Sequence, residues 1–112
     1  MLKEKKILVT GGTRGIGRSI AQTFAKNGAH VIILGTNEEK AQETVADLKQ
    51  LAVDPEQKFD YKLVNLSQHQ QVIEVLESIE KSWGALDVVV NNAGITRDNL
   101  LMRMSEQDWN EV

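Results

Sequence analysis

Apolar residues along this chain alternate between short continuous runs and stretches with helical spacing. Lys6 to Thr10 (KILVT) and His30 to Gly35 (HVIILG) are near-continuous runs, as expected of strands covered on both faces. Between them Ile16, Ile20 and Phe24 recur with Ala21 and Ala25 beside them, predicting a helix from Ile16 to about Asn27, ended by Gly28. Asn37 is placed to cap a second helix whose inner face carries Ala41, Val45, Leu48 and Ala52. The sole proline, Pro55, marks the turn into a third strand at about Phe59 to Val64. From Ser67 a long helix sets Val72, Val75, Leu76, Ile79 and Trp83 on one stripe and closes at Gly84. Leu86 to Asn91 is the fourth strand.

Strand and helix in strict alternation predict an α/β fold, a Rossmann-type doubly wound parallel sheet with right-handed crossovers. The expected strand order is 3-2-1-4, with the switch point between strands 1 and 4. In such sheets ligands bind beyond the carboxyl ends of the strands at that point. Two glycine-bearing segments, Gly11 to Gly17 and Asn91 to Gly94, fall there.

The first of these has a chemistry of its own. Ile7 to Gly17 reads ILVTGGTRGIG, an apolar strand running into a glycine turn that opens a helix. Gly11, Gly15 and Gly17 lack a Cβ, so the turn can be tight and its N–H groups can reach a pyrophosphate. The helix that follows aims the positive end of its dipole at the same anion. A tight connection with no ligand is the plain alternative. A second rival is the ATP-binding loop Gly-x4-Gly-Lys-Ser/Thr, one residue away from Gly12 to Ser19 (GTRGIGRS). Arg18 stands where that loop needs lysine, and the strand LDVVV ends in Asn91-Asn92 rather than a magnesium-holding Asp.

Bulk properties narrow the class. A net charge of −3 leaves no electrostatic footprint for nucleic acid or an anionic membrane, so neither is expected as a partner. With 0 cysteines, disulfides and thiolate metal sites are excluded, and two isolated histidines, His30 and His69, form no metal site. Neither a signal peptide nor a membrane span is evident, and the chain reads as cytoplasmic. Its 112 residues suffice for one small domain but fall short of the roughly 150 usual for a nucleotide-binding enzyme. Ser105-Glu106-Gln107-Asp108 predicts a helix start that is cut at Val112, and strand 4 would be left as an open edge. The expectation is therefore the N-terminal part of something longer.

Thr10 to Gly17 (TGGTRGIG), followed by Asn91-Asn92-Ala93-Gly94, resembles the short-chain dehydrogenase/reductase family. The stretch Ile95 to Met104 (ITRDNLLMRM) is similar to the β-ketoacyl-acyl carrier protein reductases within it. The resemblance implies that residues 1–112 are a truncated NADP-binding Rossmann domain. It places Gly11, Gly12, Thr13, Arg14, Gly15, Ile16 and Gly17 along the pyrophosphate and adenosine ribose. Asn65 and Leu66 would meet adenine; Asn92, Ala93 and Gly94 would lie under the nicotinamide-side ribose, with Asn91 in a structural role. The strand 2 end, Gly35-Thr36-Asn37, offers no acid to a ribose 2′-hydroxyl before Glu38. Arg14 can instead pair with a 2′-phosphate, so Thr36 and Arg14 together favour NADP(H).

Family catalysis uses a Ser and a Tyr-x-x-x-Lys pair, with an Asn on the helix after strand 4. The only tyrosine, Tyr61, is followed at the fourth position by Asn65, on the wrong side of the sheet. Asn110 lies just short of the matching position. No catalytic residue is assigned. The implied activity of the complete protein is NADPH-dependent reduction of a β-ketoacyl chain on acyl carrier protein in fatty acid synthesis, by a homotetramer. The alternatives are a short-chain reductase of another carbonyl substrate and a non-catalytic dinucleotide-binding module.

Overall fold

A computed structural model describes residues 2–11, 15–65 and 67–91 of the chain. The elements run β1 (Lys6–Thr10), α1 (Gly15–Lys26), β2 (His30–Gly35), α2 (Glu38–Leu51), β3 (Phe59–Leu63), α3 (His69–Trp83) and β4 (Val88–Asn91). The four strands form one parallel sheet, as the alternating pattern predicts, in the expected order β3-β2-β1-β4. Ile7 pairs with Val31 and Val88, and Gly35 pairs with Leu63.

Side chains alternate across this sheet, which separates two cores. Ile7, Val9, Val31 and Ile33 face one side, packed with Ala21 and Ala25 of α1 and Ala41, Val45 and Leu48 of α2. Leu8, Ile32 and Leu34 face the other, against Val72, Leu76 and Ile79 of α3. The central strands are apolar on both faces because both faces are covered. Small residues on α1 (Gly17, Ala21 and Ala25 are its buried positions) let that helix sit close to the sheet. The open side of β1 is tied to β4 at both ends. Lys6 N–H donates to the Asp87 carboxylate at 2.8 Å, and Asp87 N–H returns a bond to Lys6 O at 2.8 Å. Buried Thr10 donates its hydroxyl to Val90 O at 3.2 Å.

Several boundaries differ from the periodicity reading, for local reasons. The first helix begins at Gly15, one residue early, and ends at Lys26. Ala52 is half-buried and lies past the end of α2, where its N–H bonds Lys49 O. Ser67 does not start α3: it is bonded to Asn65, and Gln68 is the residue before the first turn. Leu86 is buried against α3 but stands outside the ladder, which begins at Val88. Asn37 caps α2 as expected, its side chain accepting from Lys40 N–H at 3.0 Å. The helix expected from Ser105 lies outside the described residues.

Candidate functional site

Parallel pairing brings the carboxyl ends of all four strands to one edge of the sheet. Gly11 follows β1, Thr36 follows β2 and Asn65 lies two residues beyond β3; each is at this edge. Gly11 N–H donates to Leu34 O at 2.9 Å, which carries the β1–β2 ladder one residue past Thr10. Val64 N–H does the same for β2–β3, donating to Gly35 O at 2.9 Å. Gly11 then leaves the strand with φ 68°, a conformation that glycine reaches without the Cβ clash of other residues.

Helix α1 begins at this edge with Gly15, also at positive φ (58°), and nothing lies within 4 Å of where a Cβ would stand. Its backbone is open to a close neighbour. The first turn of α1 contains no acid, whereas α2 opens with Glu38 and Glu39. The partial positive charge at the start of α1 therefore lacks the internal neutralisation that α2 has, which suits an external anion. Ile16 beside it is 72% exposed, an apolar side chain with no packing role in the described core. Gly17 is buried. A groove of about 530 Å³ runs along Gly15, Ile16, Ser19, Ile20 and Thr23.

A second groove of about 480 Å³ lies at the ends of β2 and β3, lined by Thr36, Leu63, Val64, Asn65 and Gln71. Asn65 is tightly fixed there. Its Oδ1 accepts from Ser67 N–H at 3.0 Å and from the Ser67 hydroxyl at 2.7 Å, and its carbonyl accepts from Gln68 N–H at 3.0 Å. Gln71 Oε1 accepts from Asn65 N–H at 3.4 Å, and Gln71 Nε2 donates to Gln68 Oε1 at 2.7 Å. Gln71 and the exposed Leu63 were not singled out by the sequence pattern. Gln71 reads there as one polar position in the first turns of α3.

Arg18, the residue that most nearly completes an ATP-binding loop, forms an ion pair with Asp47 of α2. Its guanidinium is thus engaged between the two helices on one face of the sheet. Tyr61 is half-buried on β3, donating to Glu38 Oε2 at 3.5 Å and accepting from Gln42 Nε2 at 3.2 Å, both on α2. Glu38, the first acid after β2, is engaged there too. His30 is half-buried at the start of β2, the opposite edge, where Nδ1 accepts from Lys58 N–H at 2.8 Å. His69 is exposed at the start of α3. Among the described residues no group of three His, Cys, Asp or Glu could hold a metal, and no helix is long and apolar enough to cross a membrane.

Of the expected cofactor contacts, Gly11, Gly15, Ile16, Gly17, Thr36 and Asn65 are described, and all lie at or next to the carboxyl edge. Gly12, Thr13, Arg14, Leu66, Asn92, Ala93 and Gly94 lie outside the described residues. For Asn91 the backbone is described, paired with Thr10.

A family model for short chain dehydrogenase matches residues 5–112. The chain belongs to the short chain dehydrogenase family. Within that family it is similar to the 3-oxoacyl-[acyl-carrier-protein] reductase FabG of Chlamydia muridarum, 46% identical over 112 residues, all of this chain and 44% of that protein. It is similar to the enzyme of the same name from Escherichia coli, 44% identical over 108 residues, 96% of this chain and 41% of that protein. The chain thus spans less than half the length of the curated relatives it matches. Among solved structures, L-sorbose reductase from Gluconobacter frateurii, complexed with NADPH and L-sorbose, superposes with a TM-score of 0.75. That likeness is 29% identical and covers 98% of this chain and 41% of that one.

Proposed function

We propose that this chain is the NADP-binding part, residues 1–112, of a cytoplasmic reductase that uses NADPH to reduce a β-ketoacyl group carried on acyl carrier protein. The observation that carries the reading is the meeting of Gly11 and the acid-free start of α1 at the carboxyl edge, beside β4, in a member of the short chain dehydrogenase family. These groups suit a dinucleotide: Gly11 and Gly15, both at positive φ, let backbone come close to a pyrophosphate, and a helix start with no acid in its first turn favours its charge. Gly11, Gly12, Thr13, Arg14, Gly15, Ile16 and Gly17 hold the phosphates and adenosine ribose. Asn65 and Leu66 flank the base, and Asn92, Ala93 and Gly94 support the nicotinamide-side ribose. When bound, NADPH supplies the hydride.

Phosphate preference rests on Arg14 and Thr36. Thr36 is exposed at the end of β2 and carries no charge to repel a 2′-phosphate, and Glu38 is drawn toward Tyr61. Arg14 provides the guanidinium that pairs with it. The names of the relatives support the acyl carrier protein thioester as substrate. The sugar-reducing neighbour supports a second reading, reduction of another carbonyl compound. The groups that recognise and protonate the substrate belong to a Ser and a Tyr-x-x-x-Lys pair that this sequence does not contain. In the assembled enzyme, a homotetramer by family resemblance, this chain binds and orients the cofactor. Calorimetric titration of the purified protein with NADPH, NADH and Mg-ATP tests the reading. Binding in the order NADPH, then NADH, with no Mg-ATP binding, supports it; tight Mg-ATP binding without NADPH binding overturns it.

A further inference from the structure

The corner where α1 ends and β2 begins, at the edge opposite the glycine turn, carries a chemistry that cofactor binding does not use. Of the asparagines in the chain only Asn27 precedes a glycine. No side chain beside the glycine nitrogen blocks its attack on the preceding amide, so such a pair is the one most prone to lose ammonia. The fold restrains both reacting groups. Gly28 N–H donates to Ala25 O at 3.2 Å and Ala29 N–H to Phe24 O at 3.2 Å, the paired closing bonds of a helix ended by glycine at positive φ, here 94°. Thr23 O can only accept, so the Asn27 atom it meets at 2.7 Å is Nδ2, the group that must leave. Asn27 O accepts from Leu2 N–H at 3.0 Å.

A residue from the loop before β3 fastens this turn. Gln57 Nε2 donates to Ala25 O at 2.9 Å and to Ala29 O at 2.8 Å, on either side of the Asn27–Gly28 peptide. Its Oε1 is fixed in turn by Val53 N–H at 2.8 Å and Asp54 N–H at 2.9 Å. A cavity of about 420 Å³, lined by Lys3, Gly28, His30, Gln57 and Lys58 among others, opens the same corner to solvent.

We propose that Asn27–Gly28 is a modification site gated by the last turn of α1, with Gln57 as the residue that holds it shut. When the turn opens, the Gly28 nitrogen gives its proton to hydroxide and bonds Asn27 Cγ. The Cγ–Nδ2 bond breaks, ammonia leaves with a proton from water, and a cyclic imide remains. Water then splits one of the two ring C–N bonds. Splitting at Cγ leaves an aspartate; splitting at the main-chain carbonyl leaves an isoaspartate linked through Cγ. Either product lacks the donor to Thr23 O and sets a negative charge at the negative end of the α1 dipole, so the turn does not close as before.

The test follows Asn27 by peptide mass spectrometry, reading the mass gain of amide to acid in the purified protein held in mildly alkaline buffer, with and without urea. The intact fold converts Asn27 at least about tenfold more slowly than the urea-unfolded chain, as for a site exposed by local opening. Gln57→Glu still accepts from Val53 and Asp54 but cannot donate to α1, and Gln57→Leu removes every bond. Both raise the rate in buffer by about tenfold and leave the rate in urea unchanged. Equal wild-type rates in buffer and urea overturn the gate. Variants that fold by circular dichroism yet convert at the wild-type rate overturn the role of Gln57. Should neither variant fold, hydrogen exchange of the wild type in sub-denaturing urea decides. Conversion that rises in proportion to exchange at Gly28 N–H supports the proposal, and conversion independent of it overturns it. No conversion even in urea overturns the site itself.

Discussion

Arg18 of α1 and Asp47 of α2 form an ion pair that joins the two helices on one face of the sheet. The pair bears on two phosphate-binding readings of the same glycine-rich segment. An ATP-binding loop needs a cation at this position to reach the terminal phosphates. Here that cation is held by a neighbouring helix. Arg18→Lys, which restores the loop's sequence, is expected to leave Mg-ATP binding undetectable by calorimetry. Arg18→Ala is expected to cost less than about 1 kcal/mol in urea denaturation, since the side chains are 32% and 40% exposed and solvent screens the pair. NADPH affinity should stay within about twofold, a change under 0.5 kcal/mol.

Gly11 and Gly15 give a prediction that separates backbone strain from lost space. At Gly15 the neighbourhood of a Cβ is empty, so Gly15→Ala meets only the cost of a positive φ, about 1–2 kcal/mol. Gly15→Asn, a residue that visits this region more readily, should cost less. Both are read by urea denaturation. Gly11→Val combines a positive φ with a β-branched side chain at the phosphate edge, and NADPH binding should be abolished. Retained affinity in Gly11→Val would show that the phosphate does not approach this turn.

Cofactor preference turns on two positions at different strand ends. Arg14→Ala should weaken NADPH by about 2 kcal/mol, roughly thirtyfold, and leave NADH nearly unchanged. Thr36→Asp, at the exposed end of β2, should lower the NADPH/NADH affinity ratio by repulsion of the 2′-phosphate. Equal losses for the two cofactors in Arg14→Ala would mean that the arginine only shapes the turn.

How much of this was legible in the sequence depended on the kind of interaction. The bounds of β1 and β2 match the apolar runs because Ile7 to Val9 and Val31 to Leu34 are fully buried between two helical layers. Alternation implied a parallel sheet, and parallel pairing puts the carboxyl ends at one edge; the expected order 3-2-1-4 is the one found. Helix starts were less legible where a short side-chain bond competed with the helix. Ser67 has the character of a cap, but Asn65 captures its N–H and hydroxyl, so α3 begins at His69. Arg18 with Asp47 and Gln71 with Asn65 had no signal in spacing. The first pair spans two helices, and the second depends on the path of the chain between β3 and α3. Both became visible only when the elements were set side by side.

The central claim is that this chain supplies cofactor binding and leaves proton transfer to groups it does not contain. Developing negative charge on a reduced carbonyl needs an acid, worth about 10²–10⁴ in rate, and Tyr61 is engaged with Glu38 and Gln42 on α2. The decisive measurement is NADPH oxidation with an acetoacetyl thioester of acyl carrier protein. It compares this chain alone with the same chain extended by the C-terminal part of a relative that carries the Ser and the Tyr-x-x-x-Lys pair. The account predicts the uncatalysed rate for the chain alone and clear turnover for the extended form. Turnover by the chain alone, or an extended form that binds NADPH yet reduces no carbonyl substrate, would contradict it.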